Sequence, residues 1–226
     1  MKPNYCLPII KAEKDRIVEI INANLGDYRY FEVWLDYTHD IDEVFVSQLI
    51  ELLGERLLAV FRRQSLGAPV MDETLRRRLI ARLSDSHALV DLDITTQQSE
   101  LTYIKTEGLP VALIASYHNY RETPDTLQLR RIIDTMEPYR PTVYKLSTLC
   151  RTEDDAVRLL QLLLELRDRD VRAIVSGMGE YGTATRIFGT MWGNDMVFAP
   201  IDRTDQSAPG QLSRQQLEII FKELSR

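Results

Sequence analysis

Cysteine is scarce in this chain, with only Cys6 and Cys150 among 226 residues. Each sits in an apolar, strand-like setting, so the pair reads as two small buried hydrophobes rather than a disulfide. No spacing of metal-ligand type accompanies them, and histidine occurs only three times. No apolar run approaches the roughly 20 residues that span a bilayer. The opening segment MKPNYCLPIIKAEKD has too short an apolar run and too early a charge for a secretory signal, which leaves a reducing cytoplasm as the expected compartment. An excess of positive charge is lacking too. Lys and Arg number 28 against 34 Asp and Glu, for a net charge of −6, so nothing electrostatic favours a nucleic-acid partner. An anionic small molecule stays open, but its positive contacts must be local.

What the sequence has in abundance is alternation. Short apolar runs at 5–9, 30–36, 56–62, 88–94, 110–118, 141–148, 171–178 and 196–202 start 22 to 32 residues apart. About 30 residues is what one strand-plus-helix unit occupies. Between them lie segments with apolar spacing near 3.6, at 44–55, 72–85 and 156–169, and Thr123-Pro124 reads as the start of another. Eight such units in one chain of this length predict a single domain over residues 1–226, a closed (β/α)₈ TIM barrel. An open doubly wound sheet is the competitor, but no glycine fingerprint follows the first strand.

Strand parity then sorts the polar residues, because successive side chains of a barrel strand point alternately to the helices and to the interior. The apolar faces assign Glu32, Asp36, Arg62, Asp91, Asp93, His118 and Lys145 to the inside. So many charges cannot be buried without partners or a task. For Asp36, Asp91 and Asp93 the expected task is a structural ion-pair network. Lys145, in the middle of PTVYKLSTLC, allows a bland reading, in which its stem lies on apolar surface and its head reaches water. With His118 at the end of the preceding parallel strand, chemistry becomes the better reading. A neutral lysine condenses with a ketone, and a histidine can move the proton that the resulting imine makes acidic. Farther on, SGMGEYGTATR (176–186) is a glycine-rich turn ending in Arg186, and QSAPGQ (206–211) is a small-residue loop. Backbone N–H groups and an arginine can together hold a carboxylate or phosphate.

The segments FEVWLDY, VFRR, SYHNYRETPD, VYKLST, SGMGEYGTATR and SAPGQ, in this order and along essentially the whole chain, resemble the type I 3-dehydroquinate dehydratase (3-dehydroquinase) family. The resemblance implies a (β/α)₈ barrel and syn dehydration of 3-dehydroquinate to 3-dehydroshikimate in the shikimate pathway, with no metal or organic cofactor. It implies Lys145 as the Schiff-base lysine and His118 as the general acid/base. Arg186 would pair with the substrate carboxylate, Ser207 and Gln211 would close the pocket, and Glu32 and Arg62 would hold ring hydroxyls. A homodimer is implied as well.

Two positions depart from the family pattern. The second strand usually reads E-x-R-x-D, but Trp34 stands where the arginine is expected. After the third strand Leu66 replaces a glutamate that lies near the catalytic histidine, which predicts a histidine without its acidic orienter. These departures keep two other readings open: a related imine-forming lyase on a different keto acid, and a weakly active dehydroquinate-binding relative.

Overall fold

A computed structural model of the chain describes residues 3–61 and 71–224. Arg62 and Leu66 therefore lie outside the described residues. The eight expected strands are present: β1 (Tyr5–Ile9), β2 (Tyr30–Trp34), β3 (Leu57–Val60), β4 (Leu89–Asp93), β5 (Ala112–Asn119), β6 (Val143–Leu149), β7 (Ala173–Met178) and β8 (Val197–Phe198). Each is followed by a helix: α1 (Lys14–Asn24), α2 (Glu43–Leu53), α3 (Glu73–Leu83), α4 (Gln98–Glu107), α5 (Thr126–Met136), α6 (Glu153–Asp168), α7 (Gly179–Trp192) and α8 (Arg214–Leu224). All strand pairs are parallel, in the order β7-β6-β5-β4-β3-β2-β1-β8, so the architecture is the (β/α)₈ barrel.

Several boundaries shift for local reasons. The helix expected from Thr123-Pro124 begins instead at Thr126. Asp125 caps it, accepting from Gln128 N at 2.8 Å, while the Gln128 side chain accepts from Asp125 N at 3.3 Å. Thr123 is occupied elsewhere, its Oγ1 donating to the Leu149 carbonyl at 3.0 Å. Strand β2 stops at Trp34, and Asp36 falls in a 3-10 turn (35–37) rather than on the barrel's inner face. Strand β8 is two residues long rather than seven, although Ala199 N still donates to the Cys6 carbonyl at 2.9 Å just beyond it.

Two apolar clusters follow from the parity of the strands. The larger lies between strands and helices and includes Leu7, Phe31, Val33, Ala59, Val90, Leu146 and Val175. The smaller fills the barrel interior with Cys6, Leu58, Val60, Leu89, Ile114, Val143 and Ile174. Cys6 and Cys150 are both free and buried, as expected of small hydrophobes. Burial pushes the Cys6 thiol up, and the nearby Glu32 carboxylate pushes it further.

Between β7 and β8 a side chain supplies what a strand would. Asn194 Oδ1 accepts from Val175 N at 2.7 Å and its Nδ2 donates to the Val175 carbonyl at 3.0 Å. Asp195 N adds a bond to the Ala173 carbonyl at 2.8 Å. An Asn194→Ala variant loses two hydrogen bonds and leaves the Val175 backbone groups unpaired in a half-buried seam. The expected cost is about 2–4 kcal/mol, read as a lowered denaturant midpoint.

Candidate active site

Lys145 sits mid-strand in β6, opposite Ser116 of β5, with an exposure of 5 %. Its Nζ lies 2.5 Å from Asp91 Oδ2 on β4 and 3.9 Å from Glu32 Oε1 on β2, and it hovers 4.6 Å above the Phe198 ring. Asp91 is held in turn by Ser116, whose Oγ donates to Oδ1 at 2.5 Å. The expectation that Asp91 belongs to an ion pair holds, and its partner is the lysine itself. That contact gives the lysine proton a place to go. Transfer to Asp91 would leave an amine lone pair facing the cleft.

His118 follows two residues after Ser116 on the same face of β5, opposite Ser147 of β6. Its side chain is 6 % exposed, and Nδ1 lies 3.0 Å from Asp93 Oδ2. With Nδ1–H donating to that carboxylate, Nε2 is left as the proton acceptor. The same Oδ2 accepts from His118 N at 3.1 Å. Asp93 Oδ1 accepts from Thr95 N at 2.9 Å, Thr95 Oγ1 at 2.5 Å and Thr96 N at 3.1 Å. Burial alone would raise this carboxyl, but the bonds and charge of His118, with those of Thr95, hold it well below the usual carboxylate range.

This overturns the expectation that replacing a glutamate by Leu66 leaves the histidine unsupported. Asp93 orients the ring from the neighbouring strand. The signal is present in the sequence as the inward-facing pair Asp91 and Asp93, one strand away from His118, though parity by itself points only to a structural role. Asp36, grouped with them by parity, instead borders a separate cleft with Thr38 and Asp72.

Arg186 enters from α7, 3 % exposed. Burial pushes its guanidinium down to about 10 from an ordinary value above 12. Nη2 donates to the Pro209 carbonyl at 3.4 Å, and Nε has no partner among the described residues. No carboxylate among those residues lies within ion-pair distance of Arg186. A buried cation without a counter-charge is a costly state that an anionic ligand relieves.

The glycine turn and the small-residue loop meet here. Gly179 N donates to the Pro209 carbonyl at 3.3 Å, and a Cβ at Gly210, whose φ is +84°, would lie 2.6 Å from the Gly179 carbonyl oxygen. Only glycine permits that approach. Ser207 and Gln211 bond reciprocally within the loop: Ser207 N donates to Gln211 Oε1 at 2.9 Å, and Gln211 Nε2 donates to Ser207 Oγ at 3.0 Å.

Glu32, His118, Lys145, Arg186, Ser207 and Gln211 thus line one cleft, and Trp34 joins them. Its space, open mouth included, is about 390 Å³. Among the described residues no group of three or more His, Cys, Asp or Glu side chains is arranged to hold a metal, and no helix is long and apolar enough to cross a membrane.

Known proteins share this sequence pattern and fold. The profile of the type I 3-dehydroquinase family matches residues 5–226. The 3-dehydroquinate dehydratase of Methanothermobacter thermautotrophicus is 26% identical over 214 residues, covering 94% of this chain and 93% of that protein. That of Aromatoleum aromaticum is 26% identical over 249 residues, covering 100% and 91%. In fold, the 3-dehydroquinate dehydratase of Geobacillus kaustophilus superposes with a TM-score of 0.84 at 24% identity, over 100% of this chain and 92% of that one. The type I enzyme of Clostridium difficile, solved with covalently modified comenic acid, gives 0.82 at 21% identity, over 99% and 92%. With the family profile running over nearly the whole chain, the protein belongs to the type I 3-dehydroquinase family.

Proposed function

We propose that the protein is a 3-dehydroquinate dehydratase that works through an imine on Lys145. The observation that carries this reading is that Lys145 and His118 face the same small cleft, the lysine against one buried carboxylate and the histidine against another. Lys145 gives up a proton to Asp91 and attacks the ring ketone, releasing one water as the imine forms. The imine draws electron density from the neighbouring carbon, whose proton passes to Nε2 of His118. Loss of the hydroxyl one carbon further on follows, and His118 returns the proton so that it leaves as water. Hydrolysis of the imine consumes one water and restores the lysine, so the net change is loss of one water.

In this reading Arg186 pairs with the substrate carboxylate, while Ser207 and Gln211 close over it and Glu32 accepts from a ring hydroxyl. Arg62 belongs to the same proposal from the resemblance alone. Asp93 holds His118 in the tautomer that can accept a proton. Work in the cytoplasm on the shikimate pathway, and assembly as a homodimer, are further parts of the proposal that follow from the family. Trp34 favours one second reading, the same imine chemistry on a different cyclic keto acid.

The test is to mix the protein with 3-dehydroquinate and borohydride and map the adduct by intact mass and peptide mass. A reduced adduct on Lys145, together with enone absorbance from the product, is the expected result. A folded protein that gives no adduct rules this substrate out.

Arg186 separates binding from folding. Its folded pKa lies below its unfolded value, so its charge costs stability at every pH below about 10, and that cost fades only as pH rises further. An Arg186→Met variant is therefore expected to unfold at a higher denaturant midpoint when free of ligand, by up to ~3 kcal/mol. The same variant should bind the substrate roughly 10²-fold or more weakly, since a buried charge partner is gone.

A further inference from the structure

Trp34 is 7 % exposed, and its indole Nε1 is buried with no hydrogen-bond partner among the described residues. An unmade bond at a buried donor is a cost that structures rarely carry without use. The residue ends β2, two positions past Glu32 on the same face and beside Val60 of β3, and both Trp34 and Glu32 line the cleft. Tyr37 packs edge-on against the indole, with ring centroids 5.7 Å apart and planes at 71°, which sets the orientation of the ring.

The charges of the cleft limit what can lie there. Lys145 is compensated by Asp91, so Arg186 is the one lining cation without a carboxylate neighbour among the described residues. One anionic group on the ligand uses it. The end formed by Glu32 and Trp34 then offers a carboxylate acceptor and a neutral donor side by side. That combination suits a hydroxyl group, whose proton goes to Glu32 and whose oxygen accepts from the indole. It does not suit a second carboxylate or a phosphate, whose charge a neutral indole could not neutralise.

We propose that Trp34 is the specificity-determining residue of this cleft, its indole N–H donating to a ring hydroxyl of a cyclic keto acid that carries a single carboxylate. The proposal rests on the dehydratase reading and adds to it the group that selects the ring. It assigns Trp34 to binding, so its removal acts on KM and leaves the proton transfers at His118 alone.

The chain has two tryptophans, and Trp192 is partly exposed on α7, away from the cleft lining. A Trp192→Phe protein therefore reports on Trp34 alone. Two measurements with 3-dehydroquinate decide the matter. Trp34→Phe should raise KM about 5- to 50-fold with kcat within threefold, the range expected when a buried hydrogen-bond donor to substrate is removed. Trp34 emission in the Trp192→Phe protein should shift to the red as the keto acid saturates the site. A KM within twofold of the parent, or a fall in kcat at unchanged KM, overturns the proposal. Unshifted emission overturns it as well, without any change at position 34 and hence without any question of folding. A parent protein that neither turns over 3-dehydroquinate nor gives a trapped adduct marks the failure of the dehydratase reading instead, and the Trp34 proposal falls with it.

Discussion

Lys145→Met is expected to lose turnover by more than roughly 10⁴-fold and to give no borohydride adduct, since the group that forms the covalent intermediate is gone. The same variant should also be less stable. Lys145 is the cation between Asp91 at 2.5 Å and Glu32 at 3.9 Å, and its removal takes a positive charge from between two buried carboxylates. Breaking a buried pair from one side costs about 3–5 kcal/mol. A second substitution tells the two effects apart. Lys145→Met with Asp91→Asn removes the stranded charge, so the denaturant midpoint should recover much of its loss while activity stays at zero. Full activity in either variant would show that the imine forms elsewhere or not at all.

His118→Ala is expected to keep imine formation and lose proton transfer. Turnover should fall about 10²- to 10⁴-fold, while borohydride still traps substrate on Lys145. Peptide mapping beside a steady-state assay reads both outcomes, and a variant that traps nothing would mean that His118 is needed to form the imine rather than to use it. Asp93→Asn should reproduce part of the kcat loss with little change in KM, because it acts through the histidine ring. Its own ionisation does not enter near neutrality. The folded Asp93 carboxyl is held well below its unfolded value, so its contribution to stability is complete at neutral pH. That contribution drains away only as pH falls below the ordinary carboxylate value of about 4. An acid limb in the pH–rate profile above that point therefore belongs to another group.

Most of the barrel could be read from the sequence because its two periodicities are strong. Strand parity alone put Glu32, Lys145 and His118 on one face, and the structure brings all three to one cleft. Boundaries were less legible where a single residue decides them. Asp125 captures the start of α5 through its side chain, while Asp36 slips off the inner face once the chain turns at Leu35. The harder miss was Asp93. Parity places it inside, but its register against Ser116, which brings the carboxylate to His118, depends on how neighbouring strands align. No period within one strand carries that information. The side-chain bridge at Asn194 was invisible for the same reason, since it ties the segment after α7 back to Val175 of β7.

The two apolar clusters of the barrel bear on how such a chain can change over generations. The packing that holds the strands to their helices lies on their outward faces, and the strand residues that line the cleft, Glu32, Trp34, His118 and Lys145, lie on the inward ones. A mutation on an inward position near the mouth therefore alters what the cleft accepts while the helix–strand layer is left as it was. Trp34 stands at such a position, where the family pattern has an arginine. A scaffold divided in this way lets substrate preference drift by single steps through viable intermediates, without each step first having to clear a barrier of misfolding.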